Sequence, residues 1–188
     1  PVQICRPRRY LSGYLAPEFS NSSNLGFTTE IPYYFALSPS YDFTFHPLYS
    51  PKQGVLWMGD WRQRLAFGDV RGEYTFKFAG IDQDASTLPN DAALTPERRD
   101  DLDGWRGSFE TKGLFSLSSW WRFGWDVTTE SDDTFRRFYK LDNMLQTDRV
   151  NTVFLQGLSD RNYFAATLYH FGGLLLRRQF GHFAQTSA

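Results

Sequence analysis

Cysteine is almost missing from this chain. Cys5 is the only one in 188 residues, so an internal disulfide is excluded and the redox compartment cannot be read. A lone thiol of this kind is most simply an inert, partly buried side chain, with pairing to a cysteine outside the sequence left open. Charge of one sign is missing too: 20 Lys+Arg stand against 21 Asp+Glu, which gives no general attraction to nucleic acid. Histidine is scarce. His46, His170 and His182 lie far apart, and no His/Cys/Asp group has metal-ligand spacing. Nucleophile elbows, phosphate loops and zinc-protease motifs do not occur. The sequence therefore predicts no catalytic residues, no metal, no cofactor and no enzyme. It also has no run of about 18 apolar residues, so no transmembrane helix is expected. The chain opens at Pro1 without an initiator Met or a signal peptide, and the expectation is an excised fragment whose targeting segment is missing.

Aromatic residues are abundant. Phe 18, Tyr 10 and Trp 6 make 18% of the chain, about twice an average globular share. Mean hydropathy is nevertheless −0.47. Many rings in a polar chain without a helical span fit two classes. One is a soluble, glycan-binding β-sandwich. The other is a transmembrane β-barrel, whose strands alternate apolar and polar and so average out polar.

Period-2 alternation runs through most of the sequence. Val55, Trp57, Trp61, Leu65 and Phe67 alternate with Asp60, Arg62 and Arg64. Tyr74, Phe76 and Phe78 alternate with Glu73, Thr75 and Lys77; Trp121, Phe123, Trp125 and Val127 alternate with Arg122, Gly124, Asp126 and Thr128. Tyr41, Phe43 and Phe45 alternate with Asp42, Thr44 and His46. A strand sorts such residues onto two faces, whereas a helix would scatter them. The Val55–Phe67 run is also long. Soluble strands typically have about 5–6 residues, and a tilted membrane-crossing strand needs about 9–11. The fold class expected is all-β, an antiparallel up-and-down meander with strands over 10–19, 25–37, 41–49, 55–67, 70–80, 105–118, 120–129, 148–158 and 162–171, and a further strand from 173. Turn signals at Ser38-Pro39-Ser40, Ser50–Gly54, Phe67-Gly68-Asp69 and Ser159–Asn162 punctuate it.

Two stretches break the pattern. Asp82–Gly104 carries Asp82, Asp84, Asp91, Asp100, Asp101 and Asp103 with Pro89 and Pro96, and reads as a long solvated loop. Its aspartates lack the alternating order of a calcium loop. Ser131–Leu145 has mixed spacing and predicts a helical turn opening at Asp132 or Asp133. His46 and His170 sit inside strand patterns and read as ordinary wall or lumen residues. The segment before residue 26 alternates poorly, which places a domain boundary there.

Pro32 and Pro47 are unusual because both lie within strand-like stretches. Proline has no N–H for the ladder and is confined largely to edges, strand starts and bulges. By pattern alone they either mark strand ends or weaken one seam.

Ser12–Pro17, Ile31-Pro32-Tyr33-Tyr34-Phe35, Leu37–Asp42 and Thr44-Phe45-His46-Pro47 occur in an order and spacing that resemble the lipopolysaccharide-assembly outer-membrane family LptD, the organic-solvent-tolerance proteins. The resemblance continues through Gly54, Asp60-Trp61-Arg62, Trp121-Arg122-Phe123 and Ser131-Asp132, covering about residues 10–145, and is looser afterwards. It implies residues 1–25 as the C-terminal end of a periplasmic β-jelly-roll and residues 26–188 as the N-terminal strands of a large outer-membrane barrel. It implies lipopolysaccharide as cargo, an LptE-like plug lipoprotein and an LptA-like periplasmic bridge protein as partners, and no nucleic acid. By block and spacing, Pro32 and Pro47 match the family's lateral gate on the first two barrel strands, and Tyr10, Tyr14 and Phe19 would lie on the lipid path. Arg6-Pro7-Arg8-Arg9 departs from the pattern, and Cys5 supports no transfer of a disulfide. A generic outer-membrane porin remains the nearest alternative to this transport reading.

Overall fold

The computed structural model describes residues 11–84, 103–132, 134–141, 148–159 and 161–173. Among them the chain forms twelve antiparallel strands and one short helix. The strands are β1 (Gly13–Tyr14), β2 (Glu18–Ser22), β3 (Gly26–Glu30), β4 (Tyr33–Ser38), β5 (Tyr41–Phe45), β6 (Leu48–Ser50), β7 (Gly54–Phe67), β8 (Val70–Gln83), β9 (Gly104–Ser116), β10 (Trp121–Glu130), β11 (Asp148–Ser159) and β12 (Asn162–Gly173). The helix α1 (Phe135–Phe138) lies between β10 and β11. The main sheet has the order β1-β4-β5-β7-β8-β9-β10-β11-β12, while β2, β3 and β6 form a side branch that joins β7 through β6. The all-β meander expected from the alternation is therefore observed.

Strands β7 to β12 start and end within two residues of the expected spans, except β8, which runs on to Gln83. The supposed acidic loop is shorter for this reason: Asp82 pairs with Trp105, and Gln83 with Gly104. Residues 85–102 lie outside the described residues, as does the strand expected beyond 173. The β7–β8 hairpin closes on Gly68-Asp69, where Gly68 has φ +59, a left-handed conformation that suits a tight two-residue turn. Three expected strands are each observed as two. The 10–19, 25–37 and 41–49 runs break at Leu15–Pro17, Ile31-Pro32 and His46-Pro47, because a proline nitrogen cannot enter the ladder.

From β4 to β10 the two faces of the sheet differ in kind. One carries a continuous quilt of rings. Phe43 stacks near Phe78 at 6.4 Å, Tyr41 near Trp61 at 5.5 Å, Trp61 near Phe76 at 5.9 Å, and Phe115 near Trp125 at 5.6 Å. These cross-strand ring pairs favour the observed register. Several rings lie over glycines of the neighbouring strand. A Cβ on Gly113 would fall 2.4 Å from the Trp125 ring, and one on Gly80 2.4 Å from Trp105. Nothing described covers this face: Trp57 is 46% exposed, Trp105 68% and Phe67 87%.

The opposite face is charged. Arg62 bonds Asp42 at 2.8 Å across the β5–β7 ladder, and Lys112 lies 3.4 Å from Asp126 across β9–β10. At the end away from the tight turns this face is dry instead. Leu56, Met58, Ala79 and Ile81 pack there with Leu25, Phe135 and Tyr139. The helical turn expected at Asp132 or Asp133 begins at Phe135, with Thr134 as its N-cap. The segment folds back onto the inner face. Arg106, 3% exposed, grips Asp132 with Nε and Nη2 at 2.8 Å each and also donates to Gln83. Arg136 donates to Glu110 at 2.7 Å and to Ser108 at 3.1 Å. Burial by itself would raise the Asp132 carboxyl, but bonds from Arg106 and Thr134 outweigh it and hold it below the ordinary carboxylate value.

Two outcomes follow for the full-length protein in detergent. Glu110→Ala takes the carboxylate from the buried Arg136 guanidinium and leaves its charge without that counterion, and is expected to cost about 3–5 kcal/mol in denaturant unfolding; Arg64→Ala, on the exposed pair with Glu73, should cost roughly 0–1 kcal/mol. The Asp132 clamp contributes fully above the ordinary carboxylate value and is lost as pH falls through its depressed folded value. Melting curves of wild type and Asp132→Asn should therefore differ at neutral pH and converge in strong acid; a gap that stays constant with pH would contradict the clamp.

Candidate functional site

The breaks at the prolines are aligned. Tyr33 faces Phe45 on one side of the break and Glu30 faces Leu48 on the other. Each strand spends two residues in between, Ile31-Pro32 and His46-Pro47, so the register passes through the interruption without a slip. The same holds against β7, where Phe45 faces Gly59 and Leu48 faces Leu56. β3–β4 and β5–β6 are thus two strands interrupted at one level, beside a third that is not. Some backbone bonds survive there: Ile31 N–H donates to Pro47 O at 3.3 Å, and His46 N–H to Met58 O at 3.0 Å. The nitrogens of Pro32 and Pro47 give none.

A third proline sits on the same line. Tyr14 faces Tyr33 and Glu18 faces Glu30, so β1–β2 spends Leu15-Ala16-Pro17 where its partner spends two residues. Leu15 N–H donates to Pro32 O at 2.9 Å. Pro17 was not expected from alternation, although the even spacing of positions 17, 32 and 47 in the sequence was a visible signal.

Beyond this line the sheet forks. The β2–β3–β6 branch turns over the inner face, and a cavity of about 390 Å³ lies between it, β7–β9 and α1. Its wall includes Phe19, Glu30, His46, Asp60, Lys77 and Tyr139. His46 stands at the fork with Nδ1 2.9 Å from Glu30 Oε1 and Nε2 3.3 Å from Asp60 Oδ1. It is a residue of the wall, as alternation suggested, and bridges two carboxylates on neighbouring strands. Burial pushes the Tyr139 phenol up to about 12, with Arg106 opposing and Asp132 adding. Its hydroxyl stays protonated and donates to Gln83 at 3.2 Å.

The residues singled out by sequence are placed as follows. Pro32 and Pro47 are brought side by side. Phe19 lines the cavity and stacks on Phe27 at 6.0 Å. Tyr14, on β1, stands edge-on to Tyr33 at 4.9 Å. Tyr10 and Cys5 lie outside the described residues. His170 is on β12, 3.5 Å from the Asn151 amide.

Comparison with known proteins gives the same family from both halves of the chain. The family model described as LptD, LPS transport system D, matches residues 104–187. LPS-assembly protein LptD of Sodalis glossinidius is 30% identical over 161 residues, 84% of this chain and 19% of its own length. The protein of that name from Pseudomonas entomophila is 50% identical over 68 residues, 35% of this chain and 7% of its own. The one from Pseudomonas aeruginosa strain UCBPP-PA14 is 48% identical over 54 residues, 29% of this chain and 6% of its own. The chain thus spans between 6% and 19% of the length of these relatives. A family model over its second half, one relative 30% identical across 84% of its length and others 48–50% identical over shorter stretches together place the chain in the LptD family.

Proposed function

We propose that this chain is the part of an outer-membrane transporter where lipopolysaccharide passes from a periplasmic conduit into the wall of a barrel and leaves sideways into the bilayer. Residues 1–25 would end the β-jelly-roll, and residues 26–188 would be the first barrel strands. The work is binding and guidance, without bond chemistry. The observation that carries this reading is the two-faced wall: uncovered rings on one side of β4–β10, ion pairs on the other. A membrane barrel needs this arrangement, with apolar residues toward hydrocarbon and polar ones toward a wet lumen.

The lateral gate is assigned to Pro32 and Pro47. Each missing ladder bond removes on the order of 1 kcal/mol of net pairing, and two losses at one level concentrate the weakness. Acyl chains would exit through the seam while the sugar head stays on the charged face. Phe19, on the cavity wall, and Tyr10 and Tyr14 before it belong to the entry side. Partners in this reading are lipopolysaccharide, an LptE-like plug lipoprotein inside the completed barrel and an LptA-like bridge protein on the periplasmic side.

The test restores the ladder. Pro32→Ala with Pro47→Ala in the full-length protein should lower surface lipopolysaccharide and make cells sensitive to detergent, with the barrel still assembled. Unchanged surface lipopolysaccharide and unchanged detergent resistance would refute the gate. A steady ion conductance with no photocrosslinking to lipopolysaccharide along residues 25–49 would favour a porin.

A further inference from the structure

The aligned prolines explain why the seam is weak, but not what holds it closed. Backbone pairing is thinned at this level, so side chains have to supply part of the connection. His46 is the residue in position to do so. It immediately precedes Pro47, it faces Pro32 in the conserved register, and its ring touches both parts of the fork. On one side Nδ1 meets Glu30, the last residue of β3 and hence of the side branch. On the other, Nε2 meets Asp60 in the middle of β7, which belongs to the unbroken wall.

Carboxylate oxygens only accept, so a ring bonded to one at each nitrogen donates from both and carries a positive charge. The two bonds are charge-assisted and stronger than the neutral amide bonds they stand beside. The three side chains are only 20–30% exposed, so water screens them incompletely. They also line the cavity that the branch encloses. The other charged groups on that wall are Glu18, Lys77, Arg136 and Lys140. Lys77 stands directly opposite Asp60 on β8.

We propose that His46 is the latch of the proline seam: its ring, held between Glu30 and Asp60, ties the β2–β3–β6 branch to the wall and keeps the gate shut between transport events. This rests on the gate reading of Pro32 and Pro47. His46 is a positioning residue, acting through the strands rather than on cargo.

The experiment uses the full-length protein in its own outer membrane, with a photocrosslinking amino acid at Ile31 and lipopolysaccharide capture as the readout. His46→Asn removes the cation and should raise capture by a few-fold to about tenfold, since losing a charge-assisted bond shifts the closed–open balance by that order. Glu30→Gln, which removes the charge from the branch-side bond only, should act in the same direction; it also serves if His46→Asn fails to assemble. Combining His46→Asn with Pro32→Ala and Pro47→Ala should abolish the rise, because the restored ladder closes the seam without the latch. No rise in either single variant, while the two proline replacements alone reduce capture, would overturn the latch and leave the gate standing. A rise that persists unchanged in the combined variant would also overturn it, marking His46 as generally structural. If the proline replacements alone change nothing, the gate reading fails and the latch with it.

Discussion

Unbroken backbone pairing along β7 is the constraint on which the rest of the structure depends. This strand of 14 residues is paired without interruption on the β8 side from Trp57–Gly80 to Phe67–Val70. On its other side it serves two strands in turn, β6 near its start and β5 further along. Because β7 does not break, the breaks beside it at Pro47, Pro32 and Pro17 cannot dismantle the sheet. They become a line across which one part of the fold can change direction. The fork, the cavity under it and the position of His46 all follow from a rigid strand lying next to interrupted ones.

The second determinant is the sorting of side chains by the pleat. Odd positions of β7 put Trp57, Trp61 and Leu65 on one face; even positions put Asp60, Arg62 and Arg64 on the other. The same phase is kept by the direct pairings Phe43–Trp61, Trp61–Phe76 and Phe76–Thr111. A one-residue slip anywhere would send charges into the ring face, so register is strongly specified. The glycines under Trp105 and Trp125 reinforce it, since a side chain there would collide with the ring. The inner face is less uniform. It is charged along most of its height and dry only where α1 and Leu25 close over Leu56, Met58 and Ile81.

What was legible in the sequence divides along physical lines. Long alternating strands could be read almost to the residue, because two-sided environments write a period of two into the chain. The interrupted strands were half legible: Pro32 and Pro47 were visible as exceptions, yet their alignment depends on register, which no local pattern states. Pro17 does not stand out as an exception, because its neighbourhood does not alternate. The inward fold of residues 131–141 was legible only as a helical turn. Its anchor, Arg106 on Asp132, joins residues on different elements and needs the fold to bring them together. His46 was readable as a polar residue of a strand; that it sits between Glu30 and Asp60 is a fact of three strands at once.

The proposed transport requires the ring face to meet hydrocarbon and the charged face to meet water. Spin labels placed one at a time at positions 57 to 65 of β7 in the full-length protein, reconstituted in lipid, measure this directly through collision with oxygen and with a water-soluble nickel complex. Alternation is predicted, with oxygen access high at 57, 61 and 65 and nickel access high at 60, 62 and 64. Equal nickel access on both faces, or oxygen access on the Arg62 side, would contradict it.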